Sequence, residues 1–135
     1  MRRIVPWVYF AAALGVIVAG CGPDKARITG RVLDNNQPVA VPASGDPQSI
    51  VFTSLGGEAG AGRMYTAALN PDGTFELVAA GGSVPPGEYR VSFNVILPGK
   101  GGEKFKRFRG EGSPIRRELK PGSNDLSIDL AKPEQ

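Results

Sequence analysis

The sequence contains no histidine and a single cysteine, and these two deficits exclude much of enzyme chemistry. Without His, the 135-residue chain lacks the usual general base, the Ser-His-Asp and Cys-His nucleophile systems and the commonest transition-metal ligand. One Cys excludes an intrachain disulfide and a Cys-based zinc site. The sequence therefore predicts a protein that is not an enzyme, holds no metal and uses no cofactor.

The chain also has little that favours long helices. Its 19 glycines and 12 prolines are many for one domain, and no segment sustains an apolar period of 3.6 residues. With 41% hydrophobic and 21% charged residues, the composition is that of a globular protein rather than a disordered one. Turn-rich β structure is the fold class that this composition favours.

The first 20 residues have the three parts of a secretory signal. Arg2 and Arg3 form a short positive region, residues 4–20 carry no charge, and small residues come directly before Cys21. The uncharged stretch is at the lower end of the length of a bilayer-spanning helix, so an uncleaved anchor stays open as an alternative. An ordinary secretory signal with an incidental Cys is the other alternative. Cleavage would leave 14 basic residues against 13 acidic ones.

The run Val18-Ala19-Gly20-Cys21 resembles the lipobox of bacterial lipoproteins. The resemblance implies that diacylglycerol is attached to Cys21, that the chain is cleaved before it, and that the new amine is acylated. Several acyl chains on one residue give firm membrane anchoring. Gly22 stands where an inner-membrane retention signal of that family has Asp, which favours an outer membrane over an inner one if the cell has both.

The expected domain organisation follows from this resemblance. Residues 1–20 are predicted to be a lipoprotein signal peptide, residues 21–25 a lipid-bearing tether, and residues 26–135 a folded domain. The folded domain would be extracytoplasmic and held at the membrane by the lipid.

From residue 26 onward, apolar and polar residues alternate with a period of two, in runs that turn residues separate. The runs cover residues 27–33, 49–55, 63–69, 74–79, 88–97, 115–119 and 126–130, and a short edge piece is expected at 39–41. The quartet Asn70-Pro71-Asp72-Gly73 is a strong turn signal, and residues 120–125 join the last two runs. About seven short strands at regular spacing predict an all-β fold, a single antiparallel β-sandwich.

One face of each run is predicted to form the core. Tyr89, Val91, Phe93 and Val95 alternate along the longest run and are predicted to lie at its centre. The other predicted core residues are Ile28, Val32, Phe52, Phe75, Leu77, Leu126, Ile128 and Leu130. A charge at Phe93 is therefore expected to unfold the domain.

Three motifs occur in this order along the chain: Ile28-Thr29-Gly30-Arg31-Val32, Asn70-Pro71-Asp72-Gly73-Thr74-Phe75 and Pro85-Pro86-Gly87-Glu88-Tyr89-Arg90-Val91. Together they resemble carboxypeptidase-regulatory-like domains, which are prealbumin-like (transthyretin-like) sandwiches. The last two runs resemble the final strands of small lipoproteins of that kind. Residues 37–49 depart from the family pattern, because two prolines and a glycine interrupt the expected second strand. The resemblance implies a domain that is itself non-catalytic.

The basic stretch at residues 100–120 is the most distinctive local feature. It holds eight basic residues against three acidic ones, with Phe105 and Phe108 among the cations. Cations beside aromatic rings suit an anionic lipid, a polyanionic glycan or single-stranded nucleic acid, and nucleic acid is not expected outside the cytoplasm. The candidate contact residues are Lys104, Lys106, Arg107, Arg109, Arg116 and Arg117. The alternative is that both phenylalanines tuck under the sandwich edge while the cations are solvated.

Other polar residues have plainer interpretations. Five residues have the oxygen atoms that Ca²⁺ prefers, but they lie in separate turns, and their preference for turns explains each of them. They are Asp34, Asn35, Asp72, Asn124 and Asp125. Glu76 and Glu88 have the residue type of a glycosidase carboxylate pair, but strand-flank solvation explains them better. Tyr65 and Tyr89 have the residue type of a sugar platform, and Tyr89 is expected to face the core instead.

These observations favour a lipid-anchored, non-catalytic envelope protein that serves as a structural or protein-interaction module. An exposed strand edge would pair with an extended segment of a partner. The alternative function is a binding module for an anionic glycan or lipid surface through residues 100–120. The expected partners are the membrane, through lipid on Cys21, and another envelope protein or an anionic glycan.

Overall fold

The computed structural model describes residues 26–41, 46–79 and 84–134. The predicted signal peptide, the tether and Cys21 lie outside these described residues. Within them, eight strands form two sheets. In chain order the elements are β1 (Ala26–Asp34), β2 (Gln37–Pro38), β3 (Ser49–Ser54), β4 (Met64–Ala68), β5 (Thr74–Leu77), β6 (Gly87–Asn94), α1 (Lys100–Lys106), a 3₁₀ turn (Gly110–Gly112), β7 (Arg116–Leu119) and β8 (Gly122–Asp129). The predicted all-β sandwich is confirmed.

The first sheet is built around β1, the nine-residue strand that opens the domain. β8 runs parallel to β1, from Ala26 opposite Gly122 to Leu33 opposite Asp129. β5 and β2 both pair antiparallel with β1 and share its other side. β1 passes into β2 through a two-residue turn, and both turn residues, Asn35 and Asn36, adopt the left-handed backbone that Asn tolerates.

The second sheet has the order β4-β3-β6-β7 and is antiparallel throughout. β3 and β6 are its central strands, and Phe52 on β3 stands opposite Val91 on β6. β7 continues the sheet beyond β6, where Arg116 stands opposite Arg90. This register decides which charged residues share the outer face of the sheet.

The core lies between the two sheets, where their inward faces meet. Phe52 of the second sheet and Phe75 of the first pack with ring centroids 6.0 Å apart. Tyr89 is buried, its hydroxyl donates to the backbone oxygen of Pro85 at 2.6 Å, and burial raises its pKa to about 12. The predicted core residues are buried as expected, except that Leu126 is half-buried at the edge of the core.

The helix α1 is an element that the sequence pattern did not predict. It has seven residues, two of them glycines, so it is too short to develop a period of 3.6. Phe105 on α1 and Phe108 just after it are buried and pack against Phe93, with centroids 5.4 Å and 6.5 Å from its ring. The interpretation that both phenylalanines tuck under the sandwich is confirmed, and α1 covers one end of the core.

Three local expectations differ from the structure. Residues 120–125 were expected to join the last two runs, whereas β8 already begins at Gly122. The sandwich was predicted to be antiparallel, whereas β1 and β8 are parallel. Alternation of buried and exposed side chains is the same for both directions, so this pattern carries no information about direction. The edge piece expected at 39–41 is wrong: β2 lies at Gln37–Pro38, and beyond it the N–H group of Val39 donates to the oxygen of Val32 on β1 and that of Val41 to the oxygen of Pro71 in a turn.

Candidate functional site

The six basic residues predicted to contact an anionic surface lie in two places. Lys104 and Lys106 are on α1, with Arg107 and Arg109 just after it. Arg116 and Arg117 instead lie on the edge strand β7 of the second sheet. The predicted set is thus divided between the helix that covers the core and a sheet edge.

Two of the three lysines of α1, Lys104 and Lys106, are paired with neighbouring carboxylates. Lys104 Nζ donates to Asp34 Oδ2 at 2.8 Å, and both side chains are 40% exposed. Lys106 pairs with Glu103, three residues earlier on the same helix. Exposed ion pairs of this kind contribute at most about 1 kcal/mol and are screened by salt. The positive charge that α1 presents is therefore partly neutralised.

The aromatic half of the predicted surface site is absent from the surface. Phe105 and Phe108 are both buried, so neither ring is available to stack on a ligand. The guanidinium of Arg107 lies 4.9 Å from the ring centroid of Phe108, which makes Arg107 a cation–π partner of the protein itself. Residues 104–109 therefore present cations at the surface without exposed aromatic rings between them.

The two arginines of β7 differ in how firmly the fold holds them. Arg117 Nη1 donates to the backbone oxygens of Arg116 and Pro133, at 2.7 Å and 3.1 Å, and burial lowers the pKa of Arg117. Arg116 Nη1 lies 3.8 Å from Glu88 Oε1 on the neighbouring strand, a long and exposed ion pair. Arg117 therefore ties the end of the chain to β7, while Arg116 keeps a weak partner.

A cleft with a volume of about 420 Å³ lies on the outer face of the second sheet. Its floor is the solvent side of the two central strands, which carry Val51, Thr53, Ser92 and Asn94. Met64 on β4 forms one wall, and residues 109–111, which follow α1, form the other. We call this feature the β3–β6 cleft.

Arg90 is a cation of the β3–β6 cleft that is not among the six predicted contact residues. Its side chain is half-buried, and it makes no hydrogen bond or ion pair with any described residue. It stands between Thr53 on β3 and Arg116 on β7. Two like charges directly opposite each other destabilise a sheet, and Arg90 and Arg116 are such a pair. The sequence did contain a signal for Arg90: it is one of the polar residues that alternate with the core residues along β6.

Arg109 is the member of the predicted basic set that lines the cleft. Its Nη2 donates to the backbone oxygen of Val95 at 2.8 Å, which holds the guanidinium beside the end of β6. Glu111 lies on the same wall and is the carboxylate that lines the cleft. Two guanidinium groups against one carboxylate leave the cleft with a positive charge.

A second exposed feature is the outer side of β8, which pairs with β1 and with no other described strand. The N–H of Leu130, one residue beyond β8, donates to the oxygen of Leu33 at 2.8 Å. Backbone groups alternate in direction along a strand, so those of Ser127 and Asp125 point away from β1. The side chains of Ser127 and Asp125 are exposed as well. β8 therefore presents an open ladder edge of the kind that templates strand pairing.

The remaining sequence candidates have structural partners. Glu76 pairs with Arg27 at 2.7 Å on the first sheet, whereas Glu88 lies on the second sheet, so the two carboxylates do not form a pair. Tyr65 packs edge-to-face on the buried Tyr89, with centroids 6.1 Å apart.

The candidate calcium ligands stand apart in the fold. Asp34 pairs with Lys104, and Asp72 accepts hydrogen bonds from the hydroxyl and the backbone N–H of Thr74. The Thr74 bonds, the hydroxyl first, lower the pKa of Asp72. Across residues 26–41, 46–79 and 84–134 no group of three or more His, Cys, Asp or Glu side chains is placed to hold a metal ion.

The fold and these surfaces define a class: an all-β sandwich with an open sheet edge and a cationic cleft. No protein-family model, curated protein or solved structure matches the chain. Within the described part of the chain, every helix is too short or too polar to cross a membrane.

Proposed function

We propose that the protein is a lipid-anchored, non-catalytic component of a bacterial cell envelope, and that its sandwich is a structural or protein-interaction module. The lipid is carried by Cys21 after removal of residues 1–20, as the likeness of Val18-Ala19-Gly20-Cys21 to a lipobox suggests. The sandwich is extracytoplasmic and of the carboxypeptidase-regulatory-like kind. Gly22 favours the outer membrane as its destination where the cell has two.

The observation that carries the interaction role is the open edge of β8. An extended segment of another envelope protein gains main-chain hydrogen bonds by adding itself to such an edge, and its alternate side chains supply specificity. Eight registered positions hold β8 on β1, so the edge is presented by a strand that is itself firmly paired. Ser127 and Asp125 keep this edge polar, which suits a reversible contact better than permanent burial.

A matched pair of variants tests strand addition at β8. Ser127→Pro removes an N–H group that faces away from β1, whereas Ser127→Ala keeps it. Proline is tolerated on an edge strand when its missing N–H faces solvent, so both variants are expected to fold. A photo-reactive residue at Asp125 is expected to cross-link one defined envelope protein in the Ala variant and to lose that adduct in the Pro variant. Equal cross-linking in both variants would contradict strand addition.

Ionic strength separates this role from the alternative, capture of an anionic glycan or lipid surface through residues 100–120. At about 1 M salt the Debye length is only about 3 Å, so attraction by exposed cations such as Lys104 and Lys106 is lost. Main-chain pairing on β8 persists under the same conditions. A cross-link at Asp125 that disappears at high salt favours the charge-driven alternative.

The anchor is tested by the intact mass of the protein extracted from membranes. The expected mass is that of residues 21–135 plus acyl chains, and the Cys21→Ser variant is expected to lose it. An unmodified full-length mass in both proteins overturns the lipid anchor. In that case residues 4–20 become an uncleaved anchor, and the role of β8 is unaffected.

A further inference from the structure

We propose that the β3–β6 cleft is a binding site for an anionic carbohydrate, which it holds by a carboxylate or phosphate group, with Arg90 as the principal cation. This site is distinct from the β8 edge, because the cleft lies on the second sheet and β8 lies on the first. It depends neither on the lipid anchor nor on strand addition.

The charge balance of the cleft calls for an anion. Arg90 has no hydrogen-bond or ion-pair partner among the described residues, and its nearest charged neighbour in register is Arg116. Among the described residues, the one carboxylate close to Arg116 is that of Glu88, and the distance of 3.8 Å between them is too long for Glu88 to neutralise both Arg116 and Arg90. An oxyanion bound at Arg90 relieves this repulsion and gains charge-assisted hydrogen bonds from a planar fork of donors.

Arg109 is placed to complete the anion site. One of its terminal nitrogens is committed to the oxygen of Val95, which restrains the guanidinium and leaves the other nitrogens free to donate. A side chain that is already restrained loses less freedom when it binds. Glu111 on the same wall sets a limit on the ligand, because its carboxylate disfavours a densely charged polyanion.

The floor of the cleft indicates a hydroxyl-rich ligand. Thr53, Ser92 and Asn94 offer hydroxyl and amide groups that both donate and accept, as sugar hydroxyls require. Val51 and Met64 add apolar surface for the C–H faces of a ring, and Met64 is 67% exposed. A volume of about 420 Å³ is within the range of about 300–1,000 Å³ that small-ligand sites occupy. One or two sugar rings bearing one anionic group match this lining.

Titrations followed by ¹H–¹⁵N NMR of the full chain in detergent micelles test the site. The probes are digalacturonate, glucose 6-phosphate and, as the uncharged control, maltose. Digalacturonate or glucose 6-phosphate is expected to shift the amide signals of Thr53, Ser92 and Asn94, and maltose is expected to leave them in place. A response to digalacturonate alone assigns a carboxylate ligand, and a response to glucose 6-phosphate alone assigns a phosphate ligand. Unmoved signals with both anions, or equal shifts with maltose, overturn the proposal.

Charge variants then locate the cation responsible. Arg90→Gln is expected to weaken binding of the active probe at least tenfold, about 1.4 kcal/mol. Arg31→Gln is the matched control, because Arg31 is an exposed arginine on the first sheet without a partner in the described residues. The double variant Lys104→Gln/Lys106→Gln is also expected to bind normally. Loss of binding in the lysine variant, with Arg90→Gln unchanged, assigns the anion to α1 and overturns the cleft site.

A second arginine variant guards against misfolding. Should Arg90→Gln fail to give the folded spectrum, Arg90→Lys keeps the charge and the side-chain stem but loses the bidentate fork. A folded Arg90→Lys protein is expected to bind several-fold more weakly than the natural chain. Unchanged affinity in that variant contradicts a bidentate contact at Arg90.

Discussion

At the scale of single residues, Asp129 ties two neighbouring elements together at one end of the first sheet. Its carboxylate accepts the N–H groups of Asn35, Asn36 and Ala131, each at 2.9 Å, and so fastens the β1–β2 turn to the end of β8. Burial raises the pKa of Asp129, but these three hydrogen bonds, with the charge of Lys132, outweigh it and hold the pKa below the ordinary value of 3.8. The ionised carboxylate is thus the form that the fold selects.

This preference predicts part of the acid sensitivity. The unfolded chain takes up the proton before the folded one, so the contribution of Asp129 is complete above pH 3.8 and is lost as the pH falls through the lower folded pKa. Asp129→Asn is expected to lower the melting temperature at neutral pH and to flatten the acid dependence in that window. Thermal melts across this pH range measure both effects. Asp125→Asn, at an exposed carboxylate of β8, is the control, and identical slopes in Asp129→Asn and the natural chain would contradict the assignment.

Gly30 is a residue whose missing side chain the packing requires. A Cβ atom at this position would clash with the backbone oxygen of Leu126 and would lie 2.6 Å from Cζ of the buried Phe75 ring. Overpacking of this kind costs about 1–3 kcal/mol, so Gly30→Ala is expected to lower the free energy of unfolding by that amount. Gly112→Ala is the control, because nothing lies within 4 Å of its added Cβ. Equal denaturation midpoints for the two variants would show that β1 and β8 accommodate the added methyl group without loss of stability.

At the scale of elements, a period of two located seven of the eight strands, all but the two-residue β2, and it failed where an element has no such period. β6 illustrates the success: the alternation identified Tyr89, Val91 and Phe93, and all three are buried. α1 illustrates the failure, because seven residues with two glycines carry no helical period. The β3–β6 cleft was beyond reach for another reason. Arg90 and Arg109 both line it, one placed by strand register and the other by the turn after α1, and composition and spacing encode neither placement.

The docking of α1 on the sandwich depends chiefly on one side chain. Phe105 is fully buried and packs edge-to-face on Phe93, whereas the neighbouring Lys106 is exposed. Truncating a buried Phe costs about 3–5 kcal/mol, so Phe105→Ala is expected to remove a large part of the stability of the domain. Lys106→Ala is expected to change it by no more than about 0.5 kcal/mol. Urea denaturation compares the two variants. A decrease of less than about 1 kcal/mol in the free energy of unfolding of Phe105→Ala would mean that the packing of α1 contributes little to the stability of the domain.

At the scale of the whole molecule, the sandwich closes by pairing its first described strand with its last. Parallel strands need a long crossover, and here the connection between β1 and β8 includes every other described element. The entropy of closing so long a loop has to be overcome before this pair forms, which favours late formation in folding. The direction of the pair could not be predicted, since β8 has the same alternation in either orientation.

This closure predicts that the domain does not survive loss of its last strand. A chain that ends at Pro121 lacks β8, exposes the ladder edge of β1 and loses the buried Ile128 and Leu130 as well as the Asp129 carboxylate that fastens the β1–β2 turn. We expect it to show no cooperative thermal transition by circular dichroism.

A chain that ends at Lys132 is the matched control, because it keeps all of β8 and gives up, among the contacts seen in the described residues, the hydrogen bond between Arg117 and Pro133. It is expected to melt cooperatively, a few degrees below the natural chain. A cooperative melt of the chain that ends at Pro121 would instead mean that β1, β5 and the second sheet form a self-sufficient core. In that case β8 would be an added strand, and the edge offered to a partner would be that of β1 itself, since an incoming segment could replace β8 in register.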